Sequence, residues 1–213
     1  MKEILKKMMI AGFVLLTACK PSDGRITQTP SVPTPTPTTA SSKPKKKTPP
    51  EVTEALHAYN ELLDHIDSFD FGMGDATADG TMYSVIYMNN EIPQLLVRKY
   101  YHKEYIVPNK IFGYDIEKHA CIDSDVIFQT ENPPQIRPEN YPKSFGNLGL
   151  LKEHKGLVYT VSNRTTKETE KKQLLTWENN HLVIKDLIQI EYAELIGCEK
   201  LISYRIDDRK ILE

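Results

Sequence analysis

The sequence predicts a mainly β fold led by one N-terminal amphipathic α-helix, with the strands joined as antiparallel hairpins and meanders. Three observations carry this. Val52, Ala55, Leu56, Tyr59, Leu62, Leu63 and Ile66 recur at helical spacing at the start of the folded part. Beyond residue 80 the chain changes to short runs rich in Val, Ile, Tyr and Leu, broken by Asn, Gly, Pro and charged residues. The links between those runs are a few residues long, too short for the crossover that parallel neighbours need.

The helix is expected over about 49–67. Thr48-Pro49-Pro50-Glu51 reads as a capping box with prolines in the first turn. The opposite face carries His57, Glu61 and His65 at i, i+4 and i+8. Three ligands spread over two helical turns close poorly around one ion, so this reads as a solvated face rather than a metal site.

Strands are expected at Met82–Tyr87, Gln94–Lys99, Tyr105–Ile116, Val126–Gln129, Leu157–Ser162, Gln173–Glu178, His181–Leu187, Gln189–Glu194 and Lys200–Ile206. Glu178-Asn179-Asn180-His181 reads as a tight hairpin turn, because Asn tolerates positive φ. Ile188, Ile190 and Tyr192 alternate with polar residues, as do Ile202, Tyr204 and Ile206. The stretch Glu131–Phe145 holds four prolines and reads as a long surface loop that divides the β region in two.

Ahead of the helix the chain is of another kind. Lys2, Lys6 and Lys7 precede the apolar run Met8–Leu16, which is too short to span a membrane. Leu16-Thr17-Ala18-Cys19 follows at once. This arrangement resembles the signal and lipobox of bacterial lipoproteins. The resemblance implies that residues 1–18 are a signal peptide and that Cys19 carries two or three acyl chains, palmitate among them. It places the protein at the cell membrane, lipid-anchored and facing the extracytoplasmic side, in the periplasm or at the cell surface. Two acyl chains suffice for stable anchoring, at about 0.8 kcal/mol per buried CH₂. Residues 19–50 are rich in Pro, Thr and Ser and read as a disordered stalk, which leaves residues 51–213 as a single globular domain.

Charge follows the same division. Residues 1–18 carry +2 and residues 19–50 carry +5, against −2 for the chain, so the domain carries −9. Lys43 and Lys45 to Lys47 suit an anionic surface, such as lipid head groups or a wall polymer. A chain this close to neutral, with 27 Lys+Arg against 29 Asp+Glu, lacks the concentrated basic footprint that a nucleic-acid partner needs. Three Cys and one Trp exclude a disulfide-rich scaffold and a cysteine zinc cluster.

Chemistry is sparse. Asp75-Ala76-Thr77-Ala78-Asp79-Gly80 begins like a calcium loop, but position 12 is Ile86 where a bidentate Glu belongs. It reads as a turn into the first strand. The segment Tyr83–Val97 resembles a strand–turn–strand pattern of secreted bacterial β-repeat proteins, with Asn89, Asn90 and Glu91 in the turn and Ile-Pro-Gln-Leu after it. Gln94 stands where that pattern has Glu, and Ile86 and Met88 where it has Asp. The resemblance implies a hairpin and no calcium.

No nucleophile elbow, zinc-protease helix or phosphate loop occurs in the sequence. His102, His119, His154 and His181 lie among charged neighbours and read as strand or turn residues. Asp123 and Asp125, two apart, could aim at one side of a strand as paired acids. Asp207-Asp208 reads as a solvated tail, and the sequon Asn163-Arg164-Thr165 carries no weight after a bacterial signal. Cys121 and Cys198 are either bridged or separate free thiols; spacing cannot decide, since a bridge needs the Cα atoms within about 7 Å. Tyr100, Tyr101 and Tyr105 suit an exposed binding face or half-buried strand positions equally well.

These readings lead to a membrane-anchored, non-enzymatic binding or accessory module of the cell envelope, with no cofactor and no catalytic residue. Its expected partners are the membrane and an envelope protein or wall polymer. The alternative is an envelope hydrolase with an acid and a histidine in an unfamiliar arrangement.

Overall fold

The computed structural model describes residues 48–88, 92–101, 105–131, 141–188, 198–199 and 201–213. The signal, Cys19 and nearly all the expected stalk, the turn at Asn89–Glu91, His102 and the expected strand Gln189–Glu194 lie outside the described residues, as does the side chain of His154.

The order is helix α1 (Pro50–Asp64), then strands β1 (Gly80–Ile86), β2 (Gln94–Tyr100), β3 (Ile106–Asp115), β4 (Ala120–Glu131), β5 (Ser144–Leu151), β6 (Leu157–Asn163), β7 (Thr169–Glu178), β8 (His181–Asp186), β9 (Cys198–Glu199) and β10 (Tyr204–Arg205). Every strand pairing is antiparallel. The first sheet runs β10-β1-β2-β3-β4 and the second β8-β7-β6-β5-β9. The mainly β architecture with one α-helix is therefore as the sequence predicts. No helix among the described residues is long and apolar enough to cross a membrane.

The helix buries Val52, Ala55, Tyr59, Leu62 and Leu63 against one face of the first sheet, among Tyr83, Leu95, Val97, Phe112 and Tyr114. Its start departs from the expected capping box. Pro49 is the N-cap and no side chain caps the helix, since Pro50 at the first position leaves one fewer N–H to satisfy. It ends at Asp64, and a single 3₁₀ turn, Ile66–Ser68, carries Ile66 into the core.

The opposite face of the first sheet meets the second. Ile86, Leu96, Ile111 and Phe128 pack on Leu157, Tyr159, Leu175 and Trp177. Neighbouring residues such as Leu95 and Leu96 serve different cores, as the two-residue period of a strand requires. Gly113 permits the contact, because a Cβ there would lie 1.9 Å from the Trp177 ring.

Three strand expectations are corrected. β4 starts at Ala120 rather than Val126, because the strand runs through a bulge at residues 124–126, between Asp123 paired with Phe112 and Ile127 paired with Lys110. Asp125 takes φ +57°, and its N–H donates to Asp123 Oδ1 at 2.9 Å. β5 begins at Ser144, inside the expected loop. Of the described residues of the expected strand Lys200–Ile206, only Tyr204–Arg205 is strand, paired with Met82 and Tyr83. The Asn179-Asn180 turn is as expected: φ is +49° and +63°, and Glu178 faces His181.

The C-terminal segment is docked rather than a free tail. Arg209 Nη1 donates to the carbonyl and side-chain oxygens of Asn60, both at 2.8 Å, and Nη2 approaches Asp64 at 3.3 Å. Leu212 is buried in the helix-side core, and the Tyr83 hydroxyl donates to the Asp208 carbonyl. The side chains of Asp207 and Asp208 remain exposed.

Candidate functional site

A cavity of about 290 Å³ opens where the ends of β4 and β6 meet the start of β5. Four aromatic rings line it: Tyr105, Tyr141, Phe145 and Tyr159. Gln129, Thr130, Glu131, Ser144 and Arg164 form the polar side, with the Ser144 hydroxyl donating to Glu170.

Backbone geometry places each group. Gly146 lets β5 lie against β4, since a Cβ there would meet the Gln129 carbonyl at 2.0 Å. The Tyr159 hydroxyl donates to the same carbonyl at 3.0 Å, and the Tyr159 ring meets Phe128 edge-on at 5.1 Å. After β6, Asn163 Oδ1 accepts from the N–H groups of Thr165 and Thr166 at 2.9 and 3.2 Å. This side-chain turn aims Arg164 back across the sheet. Its backbone N–H donates to Lys143 O at 2.8 Å and its Nε to Pro142 O at 3.0 Å.

Arg164 is the organising residue. Its guanidinium lies over the Tyr141 ring at 4.5 Å and the Phe145 ring at 4.7 Å. Nη2 pairs with Glu131 Oε1, which also accepts from the Tyr141 hydroxyl at 2.5 Å. Both charged side chains are only 15% exposed, so water screens the pair little. The planar guanidinium suits a site that stacks and bonds at once, which a lysine could not do. Tyr105 leans on Tyr141 with ring centroids 5.2 Å apart. Neither the Tyr105 hydroxyl nor the Gln129 amide holds a hydrogen bond among the described residues.

A second, shallower groove runs beside α1 and holds Glu61, Asp64, His65, His119 and Cys121. Its groups face other partners. His119 Nδ1 meets Glu54 at 2.5 Å, and Asp64 meets Arg209. Glu54 is held below the usual carboxylate range by hydrogen bonds from Tyr114 and His119. Burial, with Glu61 nearby, pushes the Cys121 thiol up to about 11, which keeps it protonated and unreactive at neutral pH.

The sequence-singled residues scatter. His57 meets Glu61 at 3.5 Å on the exposed side of α1, while His65 closes the helix and borders the groove. Asp123 binds Lys110 Nζ at 2.5 Å, and Asp125 is exposed on the bulge, so the two do not act as paired acids. His181 contacts the Asn179 carbonyl in its own turn. Gly80 opens β1, so the Asp75–Gly80 segment is a turn into the first strand. Among the described residues no group of three or more His, Cys, Asp and Glu side chains gathers as a metal site.

Both thiols are free. Cys121 faces Tyr114 across the first sheet, and Cys198 lies against Gly149 at the edge of the second. The three tyrosines divide: Tyr100 is a half-buried residue of β2, Tyr101 is buried just after it, and Tyr105 is half-buried in the turn before β3; no described tyrosine is exposed.

Sequence reasoning missed Glu131, Tyr141, Phe145 and Arg164 as a unit. The first three sit at the ends of a proline-rich stretch, and Arg164 sits in a sequon-like tripeptide. The usable signal was an Arg directly after Asn163 in a turn, with the aromatics Tyr141 and Phe145 around the start of the paired strand β5. Compared with protein-family models, with curated proteins and with solved structures, the chain finds no match.

Proposed function

We propose that the protein is a lipid-anchored, non-enzymatic binding module of the bacterial cell envelope. Cys19 holds it to the membrane on the extracytoplasmic side, residues 19–50 give it reach, and amphipathic helix α1 joins the tether to the β domain. The pocket between the sheets is the part that meets a partner. The observation that carries this reading is the pocket's composition. Four rings surround an ion pair that is already complete, with a tyrosine hydroxyl and an amide at the rim that hold no hydrogen bond among the described residues. Such a lining suits binding: apolar walls hold a ligand and a few polar groups orient it. In the groove beside α1 burial keeps the one thiol protonated and the Ser68 hydroxyl donates to His65 O, so neither competes with this reading.

The test is co-sedimentation of the full-length, detergent-solubilised protein with washed, delipidated envelope material. Wild type should sediment and Tyr105→Ala should remain in solution. Equal sedimentation of both, or of neither, contradicts the reading. In cells, Cys19→Ala should abolish fatty-acid labelling and membrane retention; a wild type without label would contradict the anchor.

A further inference from the structure

We propose that the pocket takes an uncharged sugar unit of an envelope polysaccharide; this rests on the pocket being the binding site. Charge makes the first selection. Among the described residues, Arg164 and Glu131 are the only ionised side chains of the lining, and they neutralise each other at one corner. A ligand charge would lose its hydration there and find no countercharge left.

Each charged alternative also meets a specific obstacle. An anion would need the guanidinium fork, but Nε is held by Pro142 O and Nη2 by Glu131 and Tyr141. A quaternary cation would need the open faces of an aromatic cage. The Tyr141 and Phe145 rings that would form one already carry Arg164.

Size and the remaining polar groups make the second selection. A volume of about 290 Å³ lies at the low end for small-molecule pockets and suits one ring-sized unit. Tyr105 is half-buried and Gln129 is exposed at the mouth, and among the described residues neither the hydroxyl nor the amide has a hydrogen-bond partner. The Thr130 hydroxyl is not available, since it donates to Val107 O and accepts from Asn109 Nδ2. A pyranose matches this set. Its C–H face packs on an aromatic ring, and its edge presents hydroxyl or acetamido groups to an amide and a phenol.

Calorimetric titration of the full-length protein in detergent tests the proposal. Three probes are used: N-acetylglucosamine, its β-1,4-linked tetramer, and the neutral peptide acetyl-Ala-Tyr-Ala-amide. The tetramer should bind, and Tyr105→Ala and Gln129→Ala should each weaken it about tenfold, the loss expected for one aromatic or polar contact. Tyr105→Phe keeps the ring and loses only the hydroxyl contact, so it should weaken binding less than Tyr105→Ala. Binding of the tetramer without the monosaccharide would identify the polymer as the source; equal affinity per unit would identify a free sugar. Gln129 is exposed, so its replacement leaves the fold intact even if Tyr105→Ala does not fold. Peptide binding in place of sugar, weakened by the same variants, would overturn the sugar class and leave the binding pocket standing. Sugar binding that ignores both variants would overturn the site. Binding of no probe, with envelope co-sedimentation still sensitive to Tyr105→Ala, would overturn the sugar alone.

Discussion

The two sheets are built alike and buried differently. Each is a run of four consecutive antiparallel strands extended by one two-residue strand from near the C-terminus. The first lies between the helix and the second sheet, and nine of the ten residues of β3 are buried. In β8 of the second sheet none is buried. Charge divides in the same way: residues 48–131 carry −10, whereas residues 141–188 carry +3. The middle of the first sheet is thus a scaffold, while its edge strand β4, with one buried residue of twelve, presents Gln129 and Glu131 to the pocket. The pocket forms at that edge, where the less constrained second sheet supplies Phe145, Tyr159 and Arg164.

The comparison can be broken at several strengths. The largest effect is expected in the scaffold. Phe112 is fully buried and meets Phe69 edge-on at 5.0 Å, so Phe112→Ala should lower the unfolding free energy by about 3–5 kcal/mol. Chemical denaturation measures this, and a loss below about 1 kcal/mol would show that the helix-side core is not the main source of stability.

Glu131 at the junction comes next. Glu131→Ala leaves Arg164 with its charge uncompensated in a poorly hydrated corner, at a cost of about 3 kcal/mol. Replacing both residues together should cost less than the sum of the single changes, because the penalty lies in the orphaned charge. Additive single and double variants would contradict an energetic pair.

A smaller effect comes from alkali. Burial pushes the Tyr83 hydroxyl up to about 12, and the Tyr114 hydroxyl likewise, both in the helix-side core. Unfolded tyrosine titrates near 10. Between about pH 10 and 12 the unfolded chain gives up these protons and the folded chain keeps them, so stability falls as pH rises. Melting temperatures should drop across that window, and Tyr83→Phe should flatten the drop. A wild type indifferent to pH there would contradict the burial of these hydroxyls. The smallest effect belongs to the open strand. Ile184 is 37% exposed on β8, so Ile184→Ala should change stability by no more than about 0.5 kcal/mol.

The same asymmetry decides what was legible in the sequence. The helix announced itself because its buried residues lie against a single sheet face. β1, β2, β3, β6, β7 and β8 were found because apolar or alternating runs bounded by turns mark them. β4 was cut short by Asp-Ser-Asp, which resembles a turn but leads into a bulge, beside which Asp123 neutralises buried Lys110. β5 was obscured by Gly146 and Gly149, which weaken its β signal yet are required where Gln129 O and Cys198 approach. The site was least legible, since Glu131, Tyr141 and Arg164 span 33 sequence positions and meet only through the crossing of the two sheets. No local pattern encodes such a meeting.

Amide hydrogen exchange on the full-length protein, read segment by segment, tests the central claim most directly. If the middle of the first sheet is the scaffold, the amides of β2 and β3 should exchange only through global unfolding. Those of β8 should open at lower free energy, with Glu131 and Phe145–Arg164 between the two. Protection in β8 equal to that in β3 would contradict the account, because both sheets would then belong to one cooperative unit and the pocket would have no softer side.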